Sequence, residues 1–323
     1  ILFSTSCFAN ILGLNVSSAF NSAVTVYVII PLLLIPQMIL SGALFSFDKL
    51  NDHISTKGKT PIVADMMASR WAYEALSVYA YRHNEYQRHF FEYEKNKSIA
   101  DFKAAHLADE LLKRAQFVVD NHNTSDDSVK RQVNIELSII NETLKSEIRE
   151  AASSVLVADG NSSSVQGEHL ITFLKDYKAK NQAVYNQNAA MQEKKMNYYQ
   201  SHGWDVNWYK DRYFNQTLSD MVRNVNTMDR MVEYNGKMIQ LIDPIYQEVK
   251  PSGLLDYRAP FFASEKNFLG TTMDTFYFNA IVLWIMSGLL YLALYRLWLR
   301  KAITHIDAIH PFSRKPRQTT KIK

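Results

Sequence analysis

Apolar and polar positions divide this chain into an uncharged opening, a long polar body and a second apolar stretch with a basic end. No charged residue occurs in residues 1–47, and the apolar run 23–47 is about 25 residues long. At about 1.5 Å per residue such a run can cross a hydrocarbon core of roughly 30 Å. The pattern therefore predicts a membrane-spanning helix. Pro31 and Pro36 interrupt it. Each proline removes a backbone donor and crowds the preceding turn, which favours a helix interface or a conduit over a lipid-facing rod. A simple anchor with a tolerated kink is the plainer alternative. Residues 1–14 are too few to span alone and read as the end of a helix that starts before the first residue.

Beyond residue 47 the chain turns polar, and residues 48–60 read as a membrane-surface loop. Pro61 can open the next helix, because its missing N–H costs nothing in the first turn. Residues 61–81 are apolar and aromatic yet carry Asp65, Arg70 and Glu74. Three charges near the middle of a full span would cost several kcal/mol, so a re-entrant or interfacial helix fits better. Arg70 and Glu74 stand one helical turn apart and can pair.

From residue 84 to 269 the periodicity is that of soluble helices. Val133, Leu137, Ile140, Leu144, Ile148, Ala151 and Val155 recur at three- and four-residue steps, as do Leu170, Phe173, Tyr177, Val184 and Met191. Turn-rich segments at 120–128, 158–164 and 201–203 separate the runs. Four long helices are predicted, near 86–119, 128–157, 166–200 and 205–248, packed as a bundle or as coiled-coil-like hairpins, with no strand pattern in competition. Residues 250–269 return irregularly, and 276–295 form a second apolar span whose polar members are Asn279 and Ser287. Arg296, Arg300 and Lys301 follow at once, so the positive-inside rule puts the C-terminus in the cytoplasm and the helical body outside. The 61–83 segment must then leave the number of crossings unchanged, which agrees with a re-entrant path. The expected fold class is all-α. It comprises membrane helices over 1–50, a loop and re-entrant helix over 51–85, an extracytoplasmic domain over 86–270, a last span over 271–300 and a basic tail over 301–323.

Charge changes the picture little. Residues 296–323 hold eight Lys and Arg against Asp307, leaving 28 basic and 31 acidic residues elsewhere. The basic excess is juxtamembrane and not a nucleic-acid surface. It orients the chain or binds anionic lipid. The single cysteine, Cys7, lies in the first apolar segment, so the body has neither disulfide nor thiolate metal site.

Nine histidines form no HExxH pattern, no G-x-S-x-G elbow is present, and no catalytic residue is expected. Gly58-Lys59-Thr60 matches the end of a phosphate-binding loop, but His53 stands where its first glycine belongs. The densest aromatic cluster, Tyr198, Tyr199, Trp204, Trp208, Tyr209, Tyr213 and Phe214, reads as a packed hairpin end or as a platform for an apolar ligand or partner.

Residues 31–50, PLLLIPQMILSGALFSFDKL, and the later Arg70, Trp71, Ala75, Leu76, Asn84, Glu85 and Tyr86 carry a resemblance. Their order and spacing resemble the fifth transmembrane helix and the following re-entrant segment of the G-type ABC exporters, the white-pigment and multidrug-exporter family. The likeness covers about residues 15–86, with weaker agreement at the last helix.

It implies the C-terminal half of the membrane part of an exporter subunit that works as a dimer, with the ATP-binding cassette, ATP and Mg upstream of Ile1 or on another chain. The family's cavity-facing positions fall on Ile35 and Met38, and its leucine plug falls on Ala43 and Leu44, alanine replacing one bulky leucine. As ionisable groups near membrane depth, Arg70 and Glu74 either steady the outer gate or form an interfacial ion pair of little consequence. The family's outer loop is short, whereas about 185 residues are inserted here, to cap the exit or recruit a periplasmic partner. Lacking the disulfides common in eukaryotic members, the chain reads as a bacterial inner-membrane protein. Two spans flanking an outer bundle also describe a receptor or sensor, or a tethered scaffold. The two prolines, the extra apolar stretch 1–14, the re-entrant segment and the short tail weigh against the receptor.

Overall fold

Why a helix forms where it does differs sharply along this chain, and the computed structural model separates the two cases. It describes residues 1–44, 47, 57–147, 164–249, 253 and 256–309, and the side chains of 164–166 and 306–309 are excluded. The chain divides into two compact units. One holds Ile1–Ser46, Ile62–Ala75 and Tyr277–Lys323; the other holds Phe47–Pro61 and Leu76–Phe276.

In the first unit, α1 (Leu2–Ala19), α2 (Ala23–Ile39) and α11 (Thr275–Tyr295) carry no charged residue, and α2 and α11 are apolar almost throughout. α3 (Ile62–Asp65) is a single turn, and α4 (Ala68–Arg82) contributes its first half. Among the described residues, α11 is the one helix long and apolar enough to span a membrane. Its 21 residues rise about 31 Å. The first apolar run is shorter than expected: both prolines stay inside α2, which ends after 17 residues, about 25 Å. The cause is the Ser-Gly step. Ser41 Oγ donates to the Met38 carbonyl at 2.7 Å and accepts from the Ala43 N–H at 3.1 Å, closing a turn, and Gly42 takes φ 79°, in the left-handed region.

The second unit is helical at its centre. α5 (Phe91–Asp101) runs through a π-helical segment (Phe102–Leu107) into α6 (Ala108–Asn121), which α7 (Asp127–Glu147) and α8 (Ser164–Ser201) accompany. Leu107, Leu111, Ala115, Ile140, Leu144, Leu170 and Leu174 form its core. Arg114 ties α6 to its surroundings through Glu136 at 2.7 Å and Glu233 at 3.2 Å.

Of the described residues 71% are helical and 6% are strand, so the all-α expectation holds at the level of composition. The fourth long helix does not form. Residues 205–248 fold instead into α9 (Val206–Tyr213), α10 (Gln216–Val222) and a hairpin of β1 (Met231–Tyr234) and β2 (Lys237–Gln240). Asp205 and Asn215 cap the two helices through their side chains. Asn235 and Gly236, at φ 51° and 71°, make the two-residue turn that matches strand twist. A second hairpin, β3 (Glu265–Phe268) with β4 (Thr271–Asp274), turns on Leu269-Gly270 in the same way.

The loop expected at the membrane surface belongs in part to this second unit. Gly58 approaches Ile239 so closely that a Cβ would stand 2.4 Å from its Cγ2, and the Arg258 guanidinium donates to the Thr60 carbonyl at 2.7 Å. Lys59 pairs with Asp256 at 3.4 Å. Gly58-Lys59-Thr60 is therefore a packed connection and not a phosphate cradle. The expected end of the second bundle helix past 147, the 158–164 turn, residues 48–56 and the basic residues beyond 309 lie outside the described residues.

Candidate functional site

The residues singled out by sequence fall into two sets within the first unit. The first set lines α2. That helix buries none of its residues, and Ile35 and Met38 are 53% and 58% exposed. Leu44 is 57% exposed, and Ala43 is exposed as well. Within one chain these four residues do not enclose a cavity. Pro31 and Pro36 sit at mid-helix and in the last turn. One polar attachment holds α2 beside α4. The Ser69 hydroxyl donates to the Gln37 carbonyl at 2.5 Å, and the Ser69 N–H reaches Gln37 Oε1 at 3.2 Å. The Gln37 carbonyl lies in the last turn of α2, where no intrahelical donor remains, so Ser69 supplies the missing bond.

The second set is a buried polar cluster. Arg70 is 1% exposed and Glu74 and Asn279 are wholly buried. Arg70 Nη2 lies 3.6 Å from Glu74 Oε2, and Nη1 lies 3.3 Å from Asp65 Oδ1. The guanidinium carbon sits 3.8 Å from the centre of the Trp71 ring, a cation–π contact. Trp71 Nε1 donates to the Asp65 carbonyl at 2.8 Å, holding the turn between α3 and α4. Asn279, from α11, donates to Glu74 Oε2 at 2.9 Å and to the Trp71 carbonyl at 3.0 Å.

The expected Arg70–Glu74 pair thus forms, but as part of a larger cluster in which two carboxylates face one guanidinium. Sequence reasoning did not assign Asp65, Trp71 or Asn279 to it. The signal for Asn279 was its isolation in a 21-residue apolar helix, where a lone amide is expensive unless it bridges to a partner.

A shallow open groove of about 450 Å³ runs along α11, lined by Tyr277, Ala280, Ile281, Trp284 and Ile285. α1 crosses the same helix. Phe3 meets Trp284 with ring centres 6.3 Å apart, and Asn15 Nδ2 donates to the Leu290 carbonyl at 3.0 Å.

In the second unit the aromatic cluster separates into two parts. Tyr199, Trp204, Tyr209 and Phe214 pack on buried Tyr86, Phe90 and Val206 as a small core. Tyr198, Trp208 and Tyr213 remain exposed. His89 belongs to the inward part, its Nδ1 3.0 Å from the Tyr199 hydroxyl, and burial holds its pKa below the ordinary value.

Deeper in the same unit Tyr81 and Tyr246 share a 2.6 Å hydroxyl contact, and Tyr246 donates to Glu94 at 2.7 Å. Gln87 Nε2 donates to the same Glu94 oxygen, and Ser98 and Arg223 both bond Asp243 at 2.7 Å. Burial, with Glu94 adding to it, raises the pKa of Tyr246 far above the usual phenol value. This is a hydrogen-bonded support beneath α5. Among the described residues no three His, Cys, Asp or Glu side chains gather as a metal site. No family model, curated protein or solved structure matches the chain.

Proposed function

We propose that this chain is the membrane-spanning part of an ATP-driven exporter that works as a dimer and moves an apolar or amphipathic substrate outward. The observation that carries the reading is α2: an uncharged helix with two internal prolines, exposed along its whole length within one chain. A helix that buries none of its residues within its own chain and carries two prolines is suited to facing its copy across a passage, with Ile35 and Met38 towards the substrate and Ala43 and Leu44 above them as the plug. The Ser69–Gln37 bonds and the Arg70 cluster would hold this wall upright while the seam opens and closes. ATP and Mg act on the cassette, which lies upstream or on a partner chain. The second unit would stand outside the cytoplasm.

The test is efflux of a fluorescent amphipathic dye by the complete transporter in inverted vesicles, with Met38→Ala and Leu44→Ala against the parent. Both changes should alter dye-stimulated ATPase activity while leaving folding intact. Parent-like behaviour from both would count against the assignment.

A rival reading has its own support. α11 alone meets the length of a span among the described residues, which suffices for a tethered scaffold. That reading requires cysteines placed at Ile35 and Met38 to form no cross-link between copies.

A further inference from the structure

The last described helix offers an inference that rests on the membrane reading above. α11 ends at Tyr295, and two residues later α12 (Trp298–Ile309) begins. The break is a backbone event. Leu297 takes φ 52°, in the left-handed region where a side chain costs about 1–2 kcal/mol, so the new helix starts in a new direction. Stepping 100° per residue, Trp298, Leu299, Ala302 and Ile303 share one side of α12, and Arg300, Lys301 and Thr304 share the other. α12 packs beside α1, yet Trp298 remains 57% exposed and Leu299 37%, while Arg300 and Lys301 are exposed on the other side.

A helix with one apolar and one cationic side, joined to the end of a span through Tyr295 and Arg296, is shaped for the boundary between acyl chains and headgroups. We infer that α12 lies in the plane of the membrane interface, with Trp298, Leu299 and Ala302 seated among the upper acyl carbons and Arg296, Arg300 and Lys301 held by anionic lipid phosphates. The partner is the surface of the bilayer that α11 crosses. Sequence arguments alone leave the basic residues either as an orientation signal or as a contact with anionic lipid, with no surface assigned. The broken helix adds a surface that a straight continuation of α11 would not have.

The experiment uses the full chain with Cys7→Ser, reconstituted in phosphatidylcholine vesicles with and without phosphatidylglycerol. Spin labels are placed singly at Leu299→Cys, Ala302→Cys, Thr304→Cys and Ile285→Cys, and accessibility to oxygen and to an aqueous nickel chelate is compared. Labels at 299 and 302 should favour oxygen at headgroup depth, the label at 304 should favour nickel, and the label at 285 should lie deep in lipid. In anionic vesicles, Arg300→Gln and Lys301→Gln should each lower the docked population about fivefold.

Nickel access at 299 and 302 with 285 still in lipid would overturn the interfacial helix and leave the span standing. Labels at 299, 302 and 304 all in lipid, at increasing depth, would make α12 a continuation of the span and overturn it as well. A label at 285 in water would remove the membrane reading and this inference together.

Discussion

α2 and α6 are both regular helices, yet they owe their order to opposite arrangements. α6 carries a stripe, with Leu111, Ala115 and Val118 buried and the charged residues Glu110, Lys113 and Arg114 turned towards partners or solvent. α2 has no stripe: it is apolar all round and none of its residues is buried. A striped helix names its partner within the chain, whereas a uniformly apolar one needs an environment the chain does not supply. Stability in the second unit should therefore answer to core substitutions. In the first it should answer to its few polar bonds, because lipid and a second copy would cover the rest.

The largest expected effect comes from breaking the Arg70 cluster. Arg70→Met would remove the guanidinium that faces Asp65 and buried Glu74, and removing one partner of a buried pair costs about 3–5 kcal/mol. Denaturant unfolding in detergent micelles should show this loss, and a shift under 1 kcal/mol would mean that the cluster is solvated. Next, Leu111→Ala or Leu174→Ala should cost about 2–5 kcal/mol by opening a cavity, read as faster amide exchange in α6, α7 and α8. Exchange rates unchanged from the parent would contradict the shared core. Met38→Ala, by contrast, removes an exposed side chain and should move stability by no more than about 0.5 kcal/mol while changing transport. This contrast between the Arg70 and Met38 variants is the sharpest test of the division between the two helices.

Periodicity found α7 and the first half of α8, because there apolar side chains do the packing. The second half of α8 is helical as expected, but it does not pack through its apolar positions. Val184 and Met191 continue the apolar spacing but are 37% and 46% exposed. The face turned to α5 is polar: Lys97 bonds Gln192 at 2.9 Å, Asn96 bonds Asn188 at 3.3 Å, and Lys195 lies over the Tyr93 ring. A period computed from hydrophobicity cannot register such an interface.

The β1–β2 hairpin was missed for a different reason. Its strands are only four residues each, and valines at helical spacing masked the Asn235-Gly236 turn between them. In the candidate site, Arg70–Glu74 was legible because i, i+4 spacing is local. Asp65 and Asn279 join the cluster through the fold, and no local spacing connects them.

A further expected effect concerns pH in the second unit. Tyr246 is buried against Glu94, and its pKa in the folded chain lies above the ordinary phenol value of 10.0. The unfolded chain therefore releases this proton near pH 10 while the folded chain keeps it. The stability from the neutral phenol is complete below pH 10 and is lost progressively as pH rises above it. Tyr246→Phe removes the titrating group, together with a hydroxyl that donates to Glu94, and should cost about 1–3 kcal/mol at neutral pH. It should also flatten the alkaline decline, followed as unfolding midpoints between pH 8 and 11. If the parent and the variant decline in parallel, the alkaline loss belongs to other groups, and the Tyr246–Glu94 bond is then not what holds α5 to the residues around Tyr246.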